Sequence, residues 1–307
     1  MKIIKNNITK IPKSDFNIAT IGSFDGIHIG HKKILQTLTK IAKKNNGKSI
    51  LITFWPHPRY VLKKNNDFKL LTSLDEKIKL FEKNKIDILY IVDFSLKFSK
   101  VSANKFIENI LLEKLKINCL LIGYNNNFGR NREGNIRYLE ENKKKFDIDI
   151  ISIPKQSVDK ISISSTKIRE YLNDGKISSA NRLLGRKYSI NGKIVKGNGI
   201  GRKINFPTAN VLPGTHIFPR KGVYCIEAYV KNQKYIGISN FGERPTVDGS
   251  KLLLETHIFN FNEEIYGNEL TVRFLTFIRP EQKFANFDEL AKQIKTDIET
   301  AKKYHNT

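Results

Sequence analysis

Short apolar runs alternate with amphipathic stretches through the first half of the chain. The runs are rich in Ile, Leu and Val and have the length of buried strands, whereas the stretches between them repeat apolar residues at helical spacing. This alternation predicts an α/β domain in which a parallel sheet carries helices on both faces. The predicted strands are 18–21, 50–54, 88–92, 119–122 and 148–151, and the predicted helices lie near 31–45, 73–84, 102–115 and 134–145.

The pattern changes near residue 185. Residues 165–184 form one helical pattern that ends at Gly185, which suits a C-cap. Short strand patterns separated by Gly, Pro and Asn follow, as in an antiparallel barrel, and then a final amphipathic helix. We therefore expect one domain of residues 1–184 and a second of residues 185–307. The predicted strands of the second are 187–196, 222–231, 234–240, 252–261 and 269–278, and its helix is 286–304.

The chain has 307 residues and a formal net charge of +24. Such a charge raises the question of nucleic-acid binding, because cationic side chains neutralise phosphates. The lysines are scattered along amphipathic helices, however, and no aromatic RNA-binding signature, zinc finger or basic zipper occurs. We expect a solvated lysine surface and no dedicated nucleic-acid partner. A basic nucleic-acid-binding protein is the alternative from another functional class.

The sequence has no apolar run long enough to cross a bilayer, and its N-terminus lacks the apolar core of a signal peptide. Cys119 and Cys225 stand in strand-like apolar runs of different predicted domains. We expect both to be small core residues and not a disulfide or metal pair. These features predict a cytoplasmic protein with no membrane partner, and we expect a monomer or a weak homo-oligomer.

The most informative motif is Gly-Ser-Phe-Asp-Gly-Ile-His-Ile-Gly-His at residues 22–31. It follows a predicted strand and opens onto a helix, where exposed amide groups and the positive end of the helix dipole attract anions. His28 and His31 are three residues apart, and Gly30 between them leaves no Cβ to block a phosphate. The motif therefore predicts a site for nucleotide phosphates.

Further segments of the first half follow predicted strands or begin a predicted helix. Pro56-His57-Pro58 and the Asn- and Gly-rich loop 123–132, which includes Arg130, follow strands; each is also typical of an ordinary stiff loop or turn. The segment 163–169 has hydroxyl side chains at a helix start and then Arg169. Such hydroxyls cap a helix or face a phosphate. We expect these segments to converge on residues 22–31.

A glycine-rich loop at residues 197–210 dominates the second half. Its spacing fits neither a dinucleotide-binding fingerprint nor a Walker loop. Its backbone N–H groups can still wrap a polyphosphate, and a flexible hairpin is the alternative. Thr208 and Asn210 are two residues apart on an extended segment, so their side chains point the same way and can hold Mg²⁺ through oxygen.

Together these motifs resemble those of the bifunctional riboflavin kinase/FAD synthetases. The first-half segments resemble the adenylyltransferase module, which belongs to the His-x-Gly-His nucleotidyltransferase superfamily. The second half resembles the riboflavin kinase module, and the resemblance covers nearly the whole chain. The segments that carry the second resemblance are 206–210, 222–224, 240–246, 254–261, 266–267 and 279–284.

The resemblance implies two reactions and two folds. Residues 185–307 would be an antiparallel β-barrel with a terminal helix that phosphorylates riboflavin to FMN. Residues 1–184 would be a Rossmann-like domain that transfers the adenylyl group of ATP to FMN, which gives FAD and pyrophosphate. ATP would be the co-substrate of both reactions and Mg²⁺ their cofactor. A chain with only one of the two activities is the nearest alternative.

The resemblance also implies residue roles. His28 and His31 would stabilise charge as the α-phosphorus is attacked, and Glu255, facing the barrel mouth, would accept the proton of the riboflavin 5′-hydroxyl. Without the resemblance, Glu255 would be taken as a surface residue of a strand. In the first domain, ATP would contact Gly22, Phe24, Asp25, Gly26, His28, Gly30, His31, Ser164, Ser165, Thr166 and Arg169, and the flavin would contact His57, Asn125, Phe128 and Arg130. In the second domain, ATP would contact Gly199, Gly201, Lys203, Thr208 and Asn210, and the flavin would contact Arg279 and Phe284.

The chain departs from the family pattern in two places. Asn205 stands where the kinase signature usually has Gly, which concerns the local turn geometry. Asn125-Asn126 stands where the adenylyltransferase loop commonly has Asp-Phe, which concerns contacts to the nucleotide or flavin. Neither departure removes a catalytic group.

Overall fold

The computed structural model describes residues 1–5, 11, 14–62, 68–197, 199–212, 216–231, 233–246 and 249–306. Asn198 of the predicted phosphate loop lies outside the described residues, as do the side chains of residues 244–246. The chain divides into two compact units, residues 1–164 and residues 165–307.

The first unit is built on a six-stranded sheet in which all neighbouring strands are parallel. Its inner strands are buried on both faces, which is why they are nearly continuous apolar runs in the sequence. The strands are β1 (Lys2–Lys5), β2 (Asn17–Ile21), β3 (Lys48–Trp55), β4 (Ile88–Asp93), β5 (Cys119–Gly123) and β6 (Asp149–Ile153). Their order across the sheet is β1-β4-β3-β2-β5-β6.

The strand order reverses direction between β2 and β5. From β2, the next strands in sequence, β3 and β4, extend to one side, whereas β5 and β6 extend to the other. In sheets of this kind, ligands bind beyond the carboxyl ends of the strands at the point of reversal. Strand β2 ends at Ile21, so the motif 22–31 begins at that point.

The helices of the first unit match the predicted ones with differences in detail. The predicted helix 102–115 is one α-helical turn that continues as a π-helix over Ile107–Lys114. The prediction missed β1, because only Ile4 of this edge strand is buried and so short a pattern has no clear period. The helices are α1 (Ile29–Lys44), α2 (Pro58–Leu62), α3 (Leu74–Lys83), α4 (Ala103–Phe106), α5 (Ile136–Glu141) and α6 (Lys143–Phe146), and a hairpin of β7 (Ser157–Val158) and β8 (Ile161–Ser162) follows.

The predicted helix 165–184 is two helices, α7 (Ser165–Asn173) and α8 (Ile177–Leu184). The break lies at Gly175, whose φ of 74° is a left-handed conformation that helices do not contain. Gly185 ends α8 in the left-handed conformation, as predicted. Both helices group with the second unit, and the assignment of residues 165–184 to the first domain stays a prediction.

The second unit contains a closed antiparallel barrel with the strand order β10-β13-β12-β11-β14-β9. Its outer face at Val223, Cys225 and Ile238 is covered by the terminal helix α10 (Phe287–Asn306), through Ile294 and Ile298. The parallel sheet and the barrel with its helix confirm the predicted fold. The strands are β9 (Tyr188–Val195), β10 (Ala209–Val211), β11 (Gly222–Val230), β12 (Gln233–Thr246), β13 (Gly249–Ile258) and β14 (Glu269–Arg279), and a short helix α9 (Ile200–Lys203) precedes β10.

Both cysteines are buried and free, as predicted. Burial raises the pKa of the Cys119 thiol to about 11 and that of Cys225 to about 12, so neither is a reactive thiolate near neutral pH. In the described parts of the chain, every helix is too short or too polar to span a membrane.

Candidate functional site

The turn between β2 and α1 is held in an unusual backbone conformation. Phe24 and Ile27 have φ values of 45° and 39°, which non-glycine residues rarely adopt. Both side chains are buried, and the Phe24 ring packs edge-on against Phe81, 5.9 Å between centroids. Core packing therefore stabilises a strained turn, a feature often found at ligand sites. The Phe24 ring also lies edge-on to the His31 ring, 5.1 Å between centroids, and the expected contact of Phe24 with ATP stays a prediction.

The two histidines of the motif lie together at the start of α1. Their rings stack 3.6 Å apart with an angle of 13° between planes. His28 is the N-cap, and its Nδ1 accepts a hydrogen bond from the His31 N–H at 3.2 Å. Since Nδ1 is an acceptor, the neutral His28 ring carries its proton on Nε2. The cap thus fixes the tautomer of His28 and presents an N–H donor on the other ring nitrogen.

Asp25 holds the turn from within the protein. It is buried, and its Oδ1 accepts the Leu71 N–H at 3.0 Å and the Thr72 N–H at 3.4 Å. The Gly26 N–H donates to Thr72 Oγ1 at 3.0 Å. The Asp25 carboxylate thus binds the backbone of residues 71–72 and positions the turn, and its expected contact with ATP stays a prediction.

Lys77 of α3 supports the same turn, although sequence reasoning did not single it out. Its side chain is fully buried, and its Nζ donates to the Ser23 carbonyl at 2.8 Å and lies 5.8 Å from the centroid of Trp55. A lysine on the buried face of an amphipathic helix is the signal that would have found it, since a buried ammonium needs partners.

The loop after β5 reaches the turn, as expected. Asn126 Nδ2 donates a hydrogen bond to the carbonyl of Ile21, the last residue of β2. The Asn126 N–H donates to Gly123 O at 3.0 Å, which closes the loop on itself. Asn126, one of the two residues that depart from the family pattern, therefore has a physical role in this chain. Its amide connects the loop after β5 to the end of β2, where the motif 22–31 begins.

Phe128 and Arg130 were both expected to contact a flavin, but Phe128 is buried and Arg130 is exposed. The Phe128 ring is buried in the core, 5.5 Å from the ring of Phe106, so its role is packing. This corrects the expected flavin contact. Arg130 is exposed, and its backbone N–H donates to Val101 O at 2.7 Å.

His57 follows β3 at the carboxyl edge of the sheet. It is buried, its Nδ1 accepts the Arg59 N–H at 3.1 Å, and its ring lies 4.8 Å from that of Phe68. Arg59 lies over the same Phe68 ring at 5.3 Å. These residues form an aromatic and cationic cluster next to the end of β3.

The serine- and threonine-rich segment lies at the boundary of the two compact units. Ser164 is the last residue of the first unit, and α7 begins at Ser165. Arg169 Nη1 donates to the Ser165 carbonyl at 3.1 Å, so the guanidinium folds back along α7 while Thr166 is exposed. Convergence of Ser165, Thr166 and Arg169 on residues 22–31 stays a prediction.

On the barrel, residues of neighbouring strands form one cross-strand row, Asn210–Glu255–Asn240–Val223–Arg279. Directly paired residues of antiparallel strands project from the same face of a sheet. Val223 packs in the layer beneath α10, so this is the outer face of the barrel. Glu255 therefore projects from the outer face of the barrel and not into its mouth, as its fully buried chain neighbours Leu254 and Thr256 also indicate.

A cavity of about 290 Å³ lies over this row. Apolar side chains of the barrel and α10 line it, and a few polar groups converge in it, which is the usual composition of a small-molecule site. A second cavity of about 380 Å³ shares Thr208 with the first and includes Arg202. The first cavity is lined by Thr208, Val223, Ile238, Asn240, Glu255, His257, Arg279, Glu281, Phe284, Leu290, Ile294 and Asp297, among others.

Asp297 anchors the predicted flavin residue Arg279. The guanidinium donates to both carboxylate oxygens, with Nη2–Oδ2 at 2.7 Å and Nε–Oδ1 at 2.9 Å, and lies 5.8 Å from the Phe284 ring. Sequence reasoning missed Asp297. The available signal was an acidic residue in line with Leu290 and Ile294 on the apolar face of the last helix.

The glycine-rich loop packs directly against the row. The Gly197 backbone approaches the Asn210 side chain so closely that any Cβ would overlap the amide nitrogen. Asn210 is buried, and its Oδ1 has no hydrogen-bond partner within the described residues. Gly199 and Lys203 are exposed at either end of α9. Asn205 has a φ of 65°, a left-handed conformation that Asn tolerates well, so its replacement of Gly preserves the turn.

His257 is a further residue of the cavity that the predicted site omitted. Burial lowers the pKa of its imidazole, and a hydrogen bond between its Nδ1 and the Pro207 carbonyl at 2.9 Å opposes this effect in part. The neutral ring carries its proton on Nδ1, facing that carbonyl. His257 therefore connects β13 to the segment 206–210 through this hydrogen bond.

The fold and the two sites are those of a two-domain enzyme that transfers phosphorus-containing groups, and the comparison with known proteins agrees. Residues 11–167 match the FAD synthetase family and residues 184–305 match the riboflavin kinase family. A bifunctional riboflavin kinase/FMN adenylyltransferase of Buchnera aphidicola subsp. Schizaphis graminum is 42% identical over 100% of this chain and 99% of its own length. The chain belongs to the family of bifunctional riboflavin kinase/FMN adenylyltransferases.

Two further similarities extend over the whole chain. The bifunctional riboflavin kinase/FMN adenylyltransferase of Escherichia coli K12 is 34% identical over 99% of this chain and 98% of its own. A crystal structure from Streptococcus pneumoniae, described as a macrolide-efflux protein, is 30% identical with a TM-score of 0.89 over 98% of this chain and 99% of its own. The resemblance inferred from the motifs is confirmed.

The role of Asn126 is testable by Asn126→Asp. The carboxylate has no N–H to donate and would face the Ile21 carbonyl, so we expect FAD formation from FMN to fall about tenfold. FMN formation from riboflavin should not change. Chromatographic separation of the flavins measures both. Asn131→Asp, which adds the same charge to the same loop, is the control; equal loss in the two variants would mean that charge and not the hydrogen bond matters.

Proposed function

We propose that residues 185–307 phosphorylate riboflavin to FMN and that residues 1–184 transfer the adenylyl group of ATP to FMN, which gives FAD and pyrophosphate. The cross-strand row with Glu255 beneath a cavity carries the kinase assignment. The stacked histidines at the start of α1 carry the adenylyltransferase assignment. The chain belongs to a family whose members are named for both activities, which supports two activities in this chain over only one.

In the kinase reaction, riboflavin occupies the 290 Å³ cavity with its 5′-hydroxyl at Glu255. The Glu255 carboxylate accepts the hydroxyl proton as the oxygen attacks the γ-phosphorus of ATP, the bond from that phosphorus to the bridging oxygen breaks, and ADP leaves. ATP occupies the 380 Å³ cavity, which Arg202 and Thr208 line. Its phosphates extend from there to Gly199, Gly201 and Lys203 of the glycine-rich loop, of which Gly201 lines the 290 Å³ cavity. Thr208 supports this arrangement because it lines both cavities, where the phosphate and the hydroxyl have to meet.

Thr208 and Asn210 are suited to hold Mg²⁺ in this reaction. Asn210 offers a buried amide oxygen without a hydrogen-bond partner in the described part of the chain, and Mg²⁺ prefers oxygen ligands together with substrate phosphates. When bound, the ion neutralises the phosphate charge that builds up during transfer. The protein supplies the oxygen donors, and the neighbouring Glu255 moves the proton.

In the adenylyl transfer, the ATP phosphates lie at the N-terminus of α1, against His28, His31 and the backbone of Gly22, Gly26 and Gly30. A phosphate oxygen of FMN attacks the α-phosphorus, and pyrophosphate leaves. The imidazole N–H groups and the helix dipole stabilise the charge that develops, so no covalent nucleophile is needed. Ser164, Ser165, Thr166 and Arg169 would contact the same phosphates, and His57, Asn125 and Arg130 the FMN.

We propose that both reactions take place in the cytoplasm, with riboflavin, FMN and ATP as the only dedicated partners. The buried, unreactive Cys119 and Cys225 are compatible with a reducing compartment. The protein would act as a monomer or a weak homo-oligomer, and its positive surface would attract polyphosphate substrates.

Replacing either histidine should separate the two activities. We expect His28→Ala and His31→Ala to lower FAD formation from FMN about 100-fold, because each removes a donor to the phosphates. FMN formation from riboflavin should remain near normal. Parallel assays started from riboflavin and from FMN measure the two steps. Equal loss of both activities would contradict the assignment of residues 22–31 to adenylyl transfer alone.

Glu255→Gln should have the reverse effect. The amide keeps the size of the side chain but cannot accept the proton, so FMN formation should fall at least about 100-fold. FAD formation from added FMN should be unchanged. Glu269→Gln, at an exposed position of the same barrel, is the matched control. Normal kinase turnover in Glu255→Gln would remove Glu255 from the mechanism.

Asn210→Ala tests the Mg²⁺ assignment. Loss of the amide oxygen should raise the Mg²⁺ concentration for half-maximal FMN formation about tenfold, which corresponds to about 1.4 kcal/mol of binding. Titrating Mg²⁺ at saturating riboflavin and ATP measures it, and the Mg²⁺ dependence of FAD formation serves as the internal control. An unchanged Mg²⁺ titration with a weaker ATP affinity would show that Asn210 contacts the nucleotide instead.

A further inference from the structure

Asn240 is a polar residue of the kinase cavity for which the proposed reaction has no role. It stands in the cross-strand row between Glu255 on β13 and Val223 on β11 and lines the 290 Å³ cavity. Residues directly paired across antiparallel strands have their Cβ atoms about 5 Å apart. Asn240 is therefore the immediate cross-strand neighbour of Glu255 on the side away from Asn210, and both residues line the same cavity.

The orientation of the Asn240 amide follows from its partner. Its Nδ2 donates to Glu281 Oε1 at 3.4 Å, and a carboxylate can only accept hydrogen bonds. The amide nitrogen is thus the atom that faces Glu281. Glu281 in turn packs closely against the backbone of Gly242, which limits its freedom to move. The carbonyl oxygen Oδ1 must point away from Glu281.

This oxygen is buried and has no hydrogen-bond partner among the residues that the structure describes. A buried acceptor without a donor costs free energy, and native proteins rarely keep one unless a water, ion or ligand satisfies it. A ligand of this cavity that presents a hydroxyl or N–H beside Glu255 would satisfy it.

We propose that Asn240 Oδ1 binds riboflavin by accepting a hydrogen bond from the 4′-hydroxyl of the ribityl chain. This inference rests on the proposed function of the cavity. With the 5′-hydroxyl at Glu255, the hydroxyl on the adjacent carbon lies within reach of the neighbouring side chain, and only an O–H or N–H can pair with Oδ1. The flavin ring offers its N–H far from the reacting end. Asn240 thus makes the kinase specific for a hydroxylated side chain.

The test compares riboflavin and 4′-deoxyriboflavin in the wild-type chain and in Asn240→Leu, which keeps the size of the side chain but has no acceptor. In the wild type, loss of the hydroxyl should lower kcat/KM for FMN formation at least about tenfold, since it leaves Oδ1 unpaired. In Asn240→Leu the two substrates should differ less than about twofold, and the loss with riboflavin should appear mainly in KM. Equal discrimination in both proteins would overturn the proposal.

Controls separate this inference from the proposed function. Asn191→Leu removes an amide elsewhere on the barrel and should leave discrimination intact, and FAD formation from FMN should be normal in every variant. Asn240→Ala repeats the comparison if Asn240→Leu folds poorly. Riboflavin binding without ATP is measured by quenching of flavin fluorescence. Absence of binding to the wild type would contradict the cavity assignment itself, whereas normal binding with no coupling to the 4′-hydroxyl would overturn the role of Asn240 alone.

Discussion

Strand pairing is the constraint on which both sites of this chain depend. In the first unit, parallel pairing brings the ends of β2 and β5 to the same edge, where the Asn126 amide joins Ile21. In the second unit, antiparallel register aligns Asn210, Glu255 and Asn240 in one row. If one of these strands slipped by one residue, its member of the row would turn to the other face of the sheet and leave the row. Backbone pairing between the strands thus decides which side chains lie together at each site.

Buried charged residues form a second layer beneath the side chains of the two candidate sites. Asp25 and Lys77 hold the backbone of the turn between β2 and α1, and Asp297 holds Arg279 at the cavity over the cross-strand row. Each of these ionic groups is buried and is paired with backbone or with an opposite charge, as burial requires. Their common function is to position the neighbouring backbone and side chains of the two candidate sites.

Much of the fold was accessible from pattern alone, because the buried parallel strands are apolar throughout and the helices between them have a clear period. The failures have local causes. Residues 165–184 keep a helical pattern across Gly175, although its φ breaks the helix. Strands β1 and β10 are too short for a period, and the core position of Phe128 is invisible because an aromatic residue in a loop is equally typical of a binding site and of a core.

The sequence by itself determined the order and type of most elements, the histidine pair at a helix start and the glycine-rich loop, because each depends on residues close together along the chain. Glu255 was singled out only through the resemblance to the family, since its local pattern is that of a surface residue on a strand. Only the tertiary structure decided that Glu255 lies on the outer face of the barrel, that the Asp25 carboxylate binds the backbone of residues 71–72, that Asn126 is hydrogen-bonded to Ile21 and that Asp297 pairs with Arg279. These outcomes depend on register and burial between distant segments. Local spacing carries no information about which distant partner a side chain will meet.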